Sequence, residues 1–333
     1  MKTIEVNMLS SLVFDYNENT IINSESNSLE NELSIMKPLF FDELEFHKYH
    51  QKFAEKVYKL YVKYDNKILG YCYFGLRGDC LFSPYSSPFS LIYLKNKYNI
   101  EHLIIFVNSI KKVSILLGIK KIRCTLPPEI YNSEYINQLY SAFNHERFIV
   151  SKIDINNYYI LDNYINKDEY LKNTIHKVRK NYRTALANNL TFKILNKTEM
   201  NIVYQIIKIN RSQMNYSLKM SEKQINDLIK MESLVPRFFG VFMDDNCLAS
   251  AIAFDVNDDI SQIIYWGDNI NYRNLRPMEL LTTGVFDYFN SIKKKYIDVG
   301  PSSEDGIINS GLVGFKQSIG CNSIAKISFE YNN

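Results

Sequence analysis

The residues with the clearest chemical potential in this sequence form a basic stretch near its middle. From Tyr170 to Lys197 there are seven basic residues and no acidic one. The whole chain has a formal net charge of +3, so the remainder of the chain is slightly acidic. A basic helix in such a chain favours an anionic partner, such as phosphate, a nucleotide, RNA or lipid head groups. The alternative is a solvated helix face that lacks acids.

The composition predicts a folded protein of two domains. The chain has 333 residues, about twice the ~150 residues of a typical domain. Its hydrophobic fraction is 46% and its charged fraction is 23%. This balance excludes a disordered chain and a protein that is held to nucleic acid by net charge alone. An aromatic fraction of 14% favours strand-rich packing and tyrosine-lined clefts.

The five cysteines argue against a metal or redox site. They lie far apart and none is in a Cys-x-x-Cys pair, so the spacing of zinc ribbons and thioredoxin-like motifs is missing. We expect reduced thiols and no metal. The residues from Met1 to Asn19 include three acids and no long apolar run, and no stretch reaches the ~20 apolar residues of a membrane helix. We therefore expect a cytoplasmic protein without an integral membrane segment.

The two halves of the sequence repeat one order of predicted elements. In the second half, two helices precede three strands, a helix opened by Pro277, a strand, a helix and a final strand. In the first half we expect strands at 57–64, 68–76, 121–125 and 148–155, and helices at 101–117 and 133–143. Four matching elements are 175 to 179 residues apart, which indicates a duplicated unit. The predicted domains are 1–165 and 166–333, the second entered through one basic helix over 167–189.

Three stretches of the second half carry a family resemblance. They are the basic helix with Asn188–Phe192, the segment Tyr272–Leu281, and the closing stretch with Asp298-Val299-Gly300, Phe315-Lys316 and Gly320. In this order they resemble the Fem family of aminoacyltransferases, which are duplicated relatives of the GNAT acyltransferases. The first half is similar mainly in its order of elements. The resemblance implies an α/β fold of two tandem GNAT-like domains, each a mixed central β-sheet flanked by helices, with the C-terminal strand 321–333 joining the first domain.

The resemblance also implies where an acyl donor would bind. It places the donor between two parallel strands that splay apart, here 260–266 and 296–299, with the helix that begins at Pro277 directed at the donor's phosphates. The donor-binding residues would be Tyr265, Tyr272, Arg273, Asn274 and Arg276. No glycine lies between Gly267 and Gly284, which hinders close approach of a pyrophosphate. Acyl-CoA and aminoacyl-tRNA therefore both stay open as donors.

The chemistry implied is attack of an amine on an activated carbonyl, which needs a proton acceptor and a donor to the oxyanion. The resemblance places Lys316 near the reacting groups; the alternative is a surface lysine on an amphipathic helix. Asp298, at the end of a central strand, either takes the proton and holds the amine or caps the following turn. The residues expected to contact the substrate are Tyr85, Arg179, Arg183, Asp305 and Phe315. Tyr85 belongs to a loop that is alternatively an ordered connector.

The expected function is an N-acyltransferase. It would move an acyl or aminoacyl group to an amine of a cell-envelope precursor or amino sugar, so the acceptor is a small-molecule or nucleotide-linked amine and tRNA is one candidate partner. The alternative is a non-catalytic GNAT-like module that binds a nucleotide-linked or RNA ligand.

Overall fold

The computed structural model describes residues 9–24, 36–95 and 99–333. Backbone contacts divide the chain into two compact units, one formed by Met1–Asp154 with Ala325–Asn333 and the other by Ile155–Ile324. The sequence analysis placed this division after residue 165. Each unit contains a mixed β-sheet with helices packed against it.

The described chain contains helices and strands throughout its length. In chain order they are β1 Ser10–Asp15, β2 Thr20–Ser24, α1 Leu44–His50, β3 Lys56–Tyr64, β4 Lys67–Arg77, β5 Cys80–Ser83, β6 Tyr93–Leu94, α2 Ile100–Leu116, β7 Lys121–Thr125, α3 Ser133–His145, β8 Ile149–Ile160, α4 Lys167–Asn173, α5 His176–Ala187, β9 Thr191–Leu195, α6 Met200–Gln213, α7 Glu222–Leu228, β10 Pro236–Met243, β11 Asn246–Asp255, β12 Ile260–Asp268, α8 Pro277–Ser291, β13 Tyr296–Pro301, β14 Ser303–Glu304, β15 Ile307–Ile308, α9 Ser310–Ser318 and β16 Asn322–Asn332.

The sheet of the first unit has the strand order β2-β1-β3-β4-β5-β7-β16. The hairpin between β3 and β4 turns at Asp65 and Asn66, whose φ values of 48° and 60° are those of a two-residue hairpin turn that aspartate and asparagine tolerate. Strand β5 runs parallel to β7 over four residue pairs. Strand β16 completes this sheet, because Ser328–Asn332 pairs antiparallel with β7.

The sheet of the second unit has the strand order β8-β13-β12-β11-β10-β9. Strands β10, β11 and β12 form an antiparallel meander, and β12 then pairs with β13 in parallel through the crossover helix α8. Helix α8 begins at Pro277, as predicted. Proline fits the first turn of a helix because the N–H that it lacks would have no partner within the helix there. Leu281, Val285 and Phe289 of α8 are fully buried in the core of this unit, and they recur at helical spacing.

The prediction of one basic helix over 167–189 is wrong. The structure has two helices, α4 and α5, separated at Thr174 and Ile175. Thr174 has an extended backbone and its hydroxyl donates to the carbonyl of Leu171 at 2.8 Å. The guanidinium of Arg179 donates to the carbonyls of Lys172 and Thr174. These side chains satisfy the last carbonyls of α4, which allows the helix to end there.

Candidate functional site

The parallel strands β12 and β13 separate after three paired positions. The last pair is Gln262 with Asp298. Beyond it, β12 continues to Asp268 along β11, while β13 continues to Pro301 along β8. We call the opening between the two strands beyond Gln262 and Asp298 the fork. Its two edges carry backbone groups that no longer pair with the other strand, and such groups can bind an extended ligand.

A buried polar network lies where the fork begins. Asp298 is fully buried, and its Oδ1 accepts hydrogen bonds from Asn156 Nδ2 at 2.7 Å and from the Gly300 amide at 2.9 Å. Its Oδ2 accepts one from Gln262 Nε2 at 2.8 Å. Gln262 is 3% exposed, and its Oε1 has no hydrogen-bond partner among the described residues. Since buried acceptors are almost always paired, Gln262 Oε1 is open to an N–H or O–H group of a ligand.

Lys316 fixes the backbone of the β13 edge of the fork. It is 2% exposed, and its Nζ donates to the carbonyls of Val299, Gly300 and Pro301 at 3.2, 2.8 and 3.0 Å. An ammonium has three N–H groups, so these carbonyls account for its donors. Lys316 is therefore a buried positioning group, and the alternative of a surface lysine does not hold. Phe315 packs edge-on against Trp266 of β12, with 6.3 Å between ring centroids.

The β12 edge of the fork carries Tyr265. Its hydroxyl accepts a hydrogen bond from the Met220 amide at 3.2 Å, and burial raises its pKa, so the phenol is neutral at physiological pH. The guanidinium of Arg211 lies 5.6 Å from the Tyr265 ring and 5.8 Å from the Tyr216 ring. Its Nε is buried and finds no acceptor within the described chain. Tyr216 also accepts from Asn309 Nδ2 at 3.2 Å, so this cluster contacts the segment that follows β13.

The loop before α8 holds the residues expected to meet the donor's phosphates. Arg273 is engaged by Asp268, with Nε 2.9 Å from Oδ2 and Nη2 3.0 Å from Oδ1, and these hydrogen bonds raise the pKa of Arg273. Arg276 and Asn274 are exposed, and Arg276 immediately precedes α8 with φ +65°. The Tyr272 hydroxyl accepts from an asparagine amide at 3.4 Å. Arg276 is thus the loop cation that the structure leaves accessible.

An acid occupies the first turn of α8. Glu279 lies three positions inside the helix, and its Oε1 accepts a hydrogen bond from Asn181 Nδ2 at 2.6 Å. A carboxylate there complements the positive end of the helix dipole. It would also repel a pyrophosphate at the same end. Glu279 and the lack of glycine in the preceding loop therefore both disfavour binding of a pyrophosphate at the start of α8.

The structure brings only some of the predicted residues to the fork. Asp298 and Tyr265 lie on the strands that form it, and Lys316 and Phe315 contact those strands from α9. Asp305 is exposed in the turn between β14 and β15, and Arg183 is exposed on α5. The guanidinium of Arg179 donates to backbone carbonyls at the junction between α4 and α5. Gln262, Arg211 and Tyr216 were not foreseen. The unpaired side-chain atoms of Gln262 and Arg211, and the contact of Tyr216 with Asn309, are properties of tertiary structure and leave no spacing signal in the sequence.

Tyr85 lies in the first unit and is almost completely buried. Its hydroxyl is 3.0 Å from His47 Nδ1, and burial raises the pKa of Tyr85 well above its ordinary value. Its carbonyl accepts a hydrogen bond from Arg77. Within the first unit Tyr85 is therefore a packed core residue, which agrees with the alternative of an ordered connector.

Comparison with solved structures places these features in a known fold. FemX matches with a TM-score of 0.66 over 94% of this chain and 97% of FemX, at 12% identity. The chain has a Fem-like fold. The C-terminal domain of a lysylphosphatidylglycerol synthetase from Agrobacterium fabrum matches with a TM-score of 0.56 over 80% of this chain and 82% of that domain, at 11% identity. L-PGS from Bacillus licheniformis matches with a TM-score of 0.53 over 79% of this chain and 81% of L-PGS, at 10% identity.

These comparisons confirm the predicted α/β class and the Fem/GNAT-like fold. No protein-family model matches the chain, and no curated protein matches it by sequence. Across residues 9–24, 36–95 and 99–333, no helix has the length and hydropathy to cross a membrane, and no three His, Cys, Asp or Glu side chains are grouped as metal ligands.

Proposed function

We propose that this protein is an N-acyltransferase that binds its acyl donor in the fork. The observation that supports this most directly is the separation of β12 and β13 at a buried Asp298–Gln262 network. Unpaired backbone N–H groups at such an opening are suited to the developing negative charge on a carbonyl oxygen. The donor is an acyl-CoA or an aminoacyl-tRNA, and the acceptor is an amine of a cell-envelope precursor or amino sugar.

In this proposal the residues at the fork have different roles in the reaction. Asp298 takes the proton that the attacking amine loses. As the acyl bond of the donor breaks, the leaving thiol of coenzyme A or ribose hydroxyl of the tRNA takes up that proton from Asp298. Gln262 Oε1 accepts a hydrogen bond from the attacking amine. Lys316 holds the β13 edge in position through three backbone carbonyls. Arg211 and Arg276 supply positive charge for the phosphates of the donor or of a nucleotide-linked acceptor.

Three observations favour aminoacyl-tRNA over coenzyme A as the donor. Glu279 and the glycine-free loop before α8 disfavour a closely bound pyrophosphate, whereas the basic stretch from Tyr170 to Lys197 suits a polyanion.

All five cysteines are buried and unpaired, which is consistent with the reducing cytoplasm in which both donors occur.

The test is a transfer assay on the full chain. Acyl-CoAs and aminoacyl-tRNAs are each incubated with nucleotide-linked amino sugars and peptidoglycan precursors, and new amides are detected by mass spectrometry. We expect product from one donor class. Asp298→Asn keeps the shape of the side chain but cannot take a proton, so it should lower the rate by about 100-fold or more. Asp245→Asn, in an exposed turn, is the matched control.

Failure to form an amide from either donor class, or full activity of Asp298→Asn, would contradict the proposal. The two donors are separated by salt. Binding of tRNA should weaken steeply with ionic strength because each phosphate contact releases counterions, whereas a compact coenzyme A site should depend on salt much less.

The second candidate is a non-catalytic binding module. It is favoured by the fact that Lys316 and Asp298 already have internal hydrogen-bond partners, which is equally the pattern of structural residues. This function predicts that the wild type binds a nucleotide-linked or RNA ligand without product, and that Asp298→Asn binds the ligand equally well.

A further inference from the structure

A groove separate from the fork lies in the second unit between α5, the start of β9 and α8. Its volume is about 320 Å³, which is at the small end of the range of sites for small ligands. Four apolar side chains and one ion pair dominate its lining: Leu186, Leu190, Phe192, Leu280, Lys167 and Asp287. None of these residues takes part in the chemistry proposed for the fork.

The apolar part of the groove is set by close packing. Leu190 and Leu280 are buried, and Phe192 is half-buried against α8. The Phe192 ring rests on Gly284, where an added Cβ would lie 2.4 Å from a ring carbon. A larger residue at this helix position would push the ring aside. Glycine therefore keeps Phe192 in the wall of the groove and leaves the volume open.

The charged part of the groove is loosely paired and accessible. Lys167 Nζ lies 3.4 Å from Asp287 Oδ2, and the two side chains are 38% and 46% exposed. This distance is longer than the ~2.7–2.9 Å of a strong charge-assisted hydrogen bond. Partial burial alone would lower the pKa of Lys167, but Asp287 and Tyr182 raise it overall. The groove therefore presents the Lys167 ammonium and the Asp287 carboxylate side by side.

We propose that this groove binds a free α-amino acid with an apolar side chain. Its carboxylate pairs with Lys167, its ammonium pairs with Asp287, and its side chain lies among the four apolar residues. A ligand with a single charge would pair with one of these partners and face a like charge on the other. A zwitterion is attracted to both, and the apolar wall adds the burial of its side chain. The site is independent of the reaction proposed for the fork.

Three ligands that share a phenyl ring separate the contributions of the two charges. L-phenylalanine has both charged groups, phenethylamine has only the ammonium, and 3-phenylpropanoate has only the carboxylate. Each is titrated against the full chain by ligand-observed NMR and calorimetry. We expect L-phenylalanine to bind at least about tenfold more tightly than either analogue, which is the lower range for a charged hydrogen bond.

Each charge-neutralising variant should remove the advantage of L-phenylalanine over a different analogue. With Asp287→Asn, L-phenylalanine should lose most of its advantage over 3-phenylpropanoate. With Lys167→Gln, it should lose most of its advantage over phenethylamine. Lys172→Gln removes the same charge from an exposed position on the same helix, outside the groove, and should change each dissociation constant by less than about twofold.

Both changed positions are partly exposed, so the variants should fold, and thermal melts check this. The proposal is overturned if L-phenylalanine does not bind, if the three ligands bind equally, or if Asp287→Asn and Lys167→Gln leave the order of affinities as in the wild type. Each of these results leaves the transfer assay for the fork unaffected.

Discussion

Replacing Asp42 by asparagine should change how the stability of the first unit depends on pH. Asp42 is 1% exposed. Its carboxylate accepts hydrogen bonds from the Ser90 hydroxyl at 2.5 Å, the Leu91 amide at 3.1 Å and the Tyr93 hydroxyl at 2.7 Å. Burial outweighs these three donors and raises the pKa of Asp42 from 3.8 to about 7. The folded unit therefore favours the neutral acid.

The sign and size of the effect follow from this pKa. The stabilisation is complete below the unfolded pKa of 3.8, decreases as the pH rises, and is lost above about pH 7. Since one pKa unit corresponds to about 1.4 kcal/mol, the change from 3.8 to about 7 amounts to roughly 4 kcal/mol. Asparagine resembles the neutral acid and does not titrate, so Asp42→Asn should match the wild type at low pH and exceed its stability by roughly this amount above pH 7.

Two histidines of the same unit act in the opposite direction. Burial lowers the pKa of His50 to about 4 and that of His47 well below 6.5. Their stabilisation is present above pH 6.5 and is lost as the pH falls, so the profile of the wild type alone mixes both effects. The difference in unfolding free energy between Asp42→Asn and the wild type cancels the contribution of His50, which both proteins contain. His47 Nε2 lies 4.0 Å from Asp42 Oδ1, so its contribution is coupled to the substitution and is part of the measured difference.

The assay is urea unfolding at several values between about pH 4 and 8, followed by far-UV circular dichroism. Trp266 is the only tryptophan and lies in the second unit, so its fluorescence reports that unit in the same samples. Asp79→Asn, at an exposed aspartate of the first unit, is the control. A difference between Asp42→Asn and the wild type that stays constant across the pH range would refute the reasoning.

Two further changes test the geometry of the fork. Lys316→Met leaves the buried carbonyls of Val299 and Gly300 and the partly buried carbonyl of Pro301 without their donor. It should lower the unfolding free energy by about 2–4 kcal/mol, measured by Trp266 fluorescence in urea. Lys208→Met, on the exposed face of α6, should have little effect. Gly267→Ala would place a Cβ 2.4 Å from a side-chain atom of Asn210 and should cost about 1–3 kcal/mol. Gly314→Ala, where no atom lies within 4 Å, should instead stabilise by about 0.5–1 kcal/mol; equal effects of the two alanines would contradict the packing.

The sequence predicted the elements of the second unit well because their signals are local. Pro277 opens α8 as its position predicted, and the three strands expected before that helix are β10, β11 and β12. The break at Thr174 was missed because it depends on Arg179, which donates to carbonyls five and seven residues earlier. Strand β9 was missed because its pairing partner β10 is distant in the sequence. Strand β1, which pairs with its neighbour β2 and with β3, was also missed.

The site was harder to predict than the fold for a related reason. Asp298 and Lys316 were named from their positions in motifs, but their burial and their hydrogen bonds depend on β8, β12, α9 and the backbone at the end of β13. Arg273 was expected to meet phosphates, yet Asp268 five residues before it engages its guanidinium. A charge in a loop can be read from the sequence, but its neutralisation depends on how that loop folds.

The position of β16 in the first unit has a consequence for the synthesis of this protein. Arg123 of β7 is joined to Glu330 of β16 by a hydrogen bond of 2.7 Å across 207 residues of chain. During synthesis of the second unit, one edge of β7 has no partner, because β16 has not yet been made. An unpaired strand edge readily pairs with another chain. A fragment that stops at residue 154 would keep this edge permanently open, so it should aggregate more readily than the full chain.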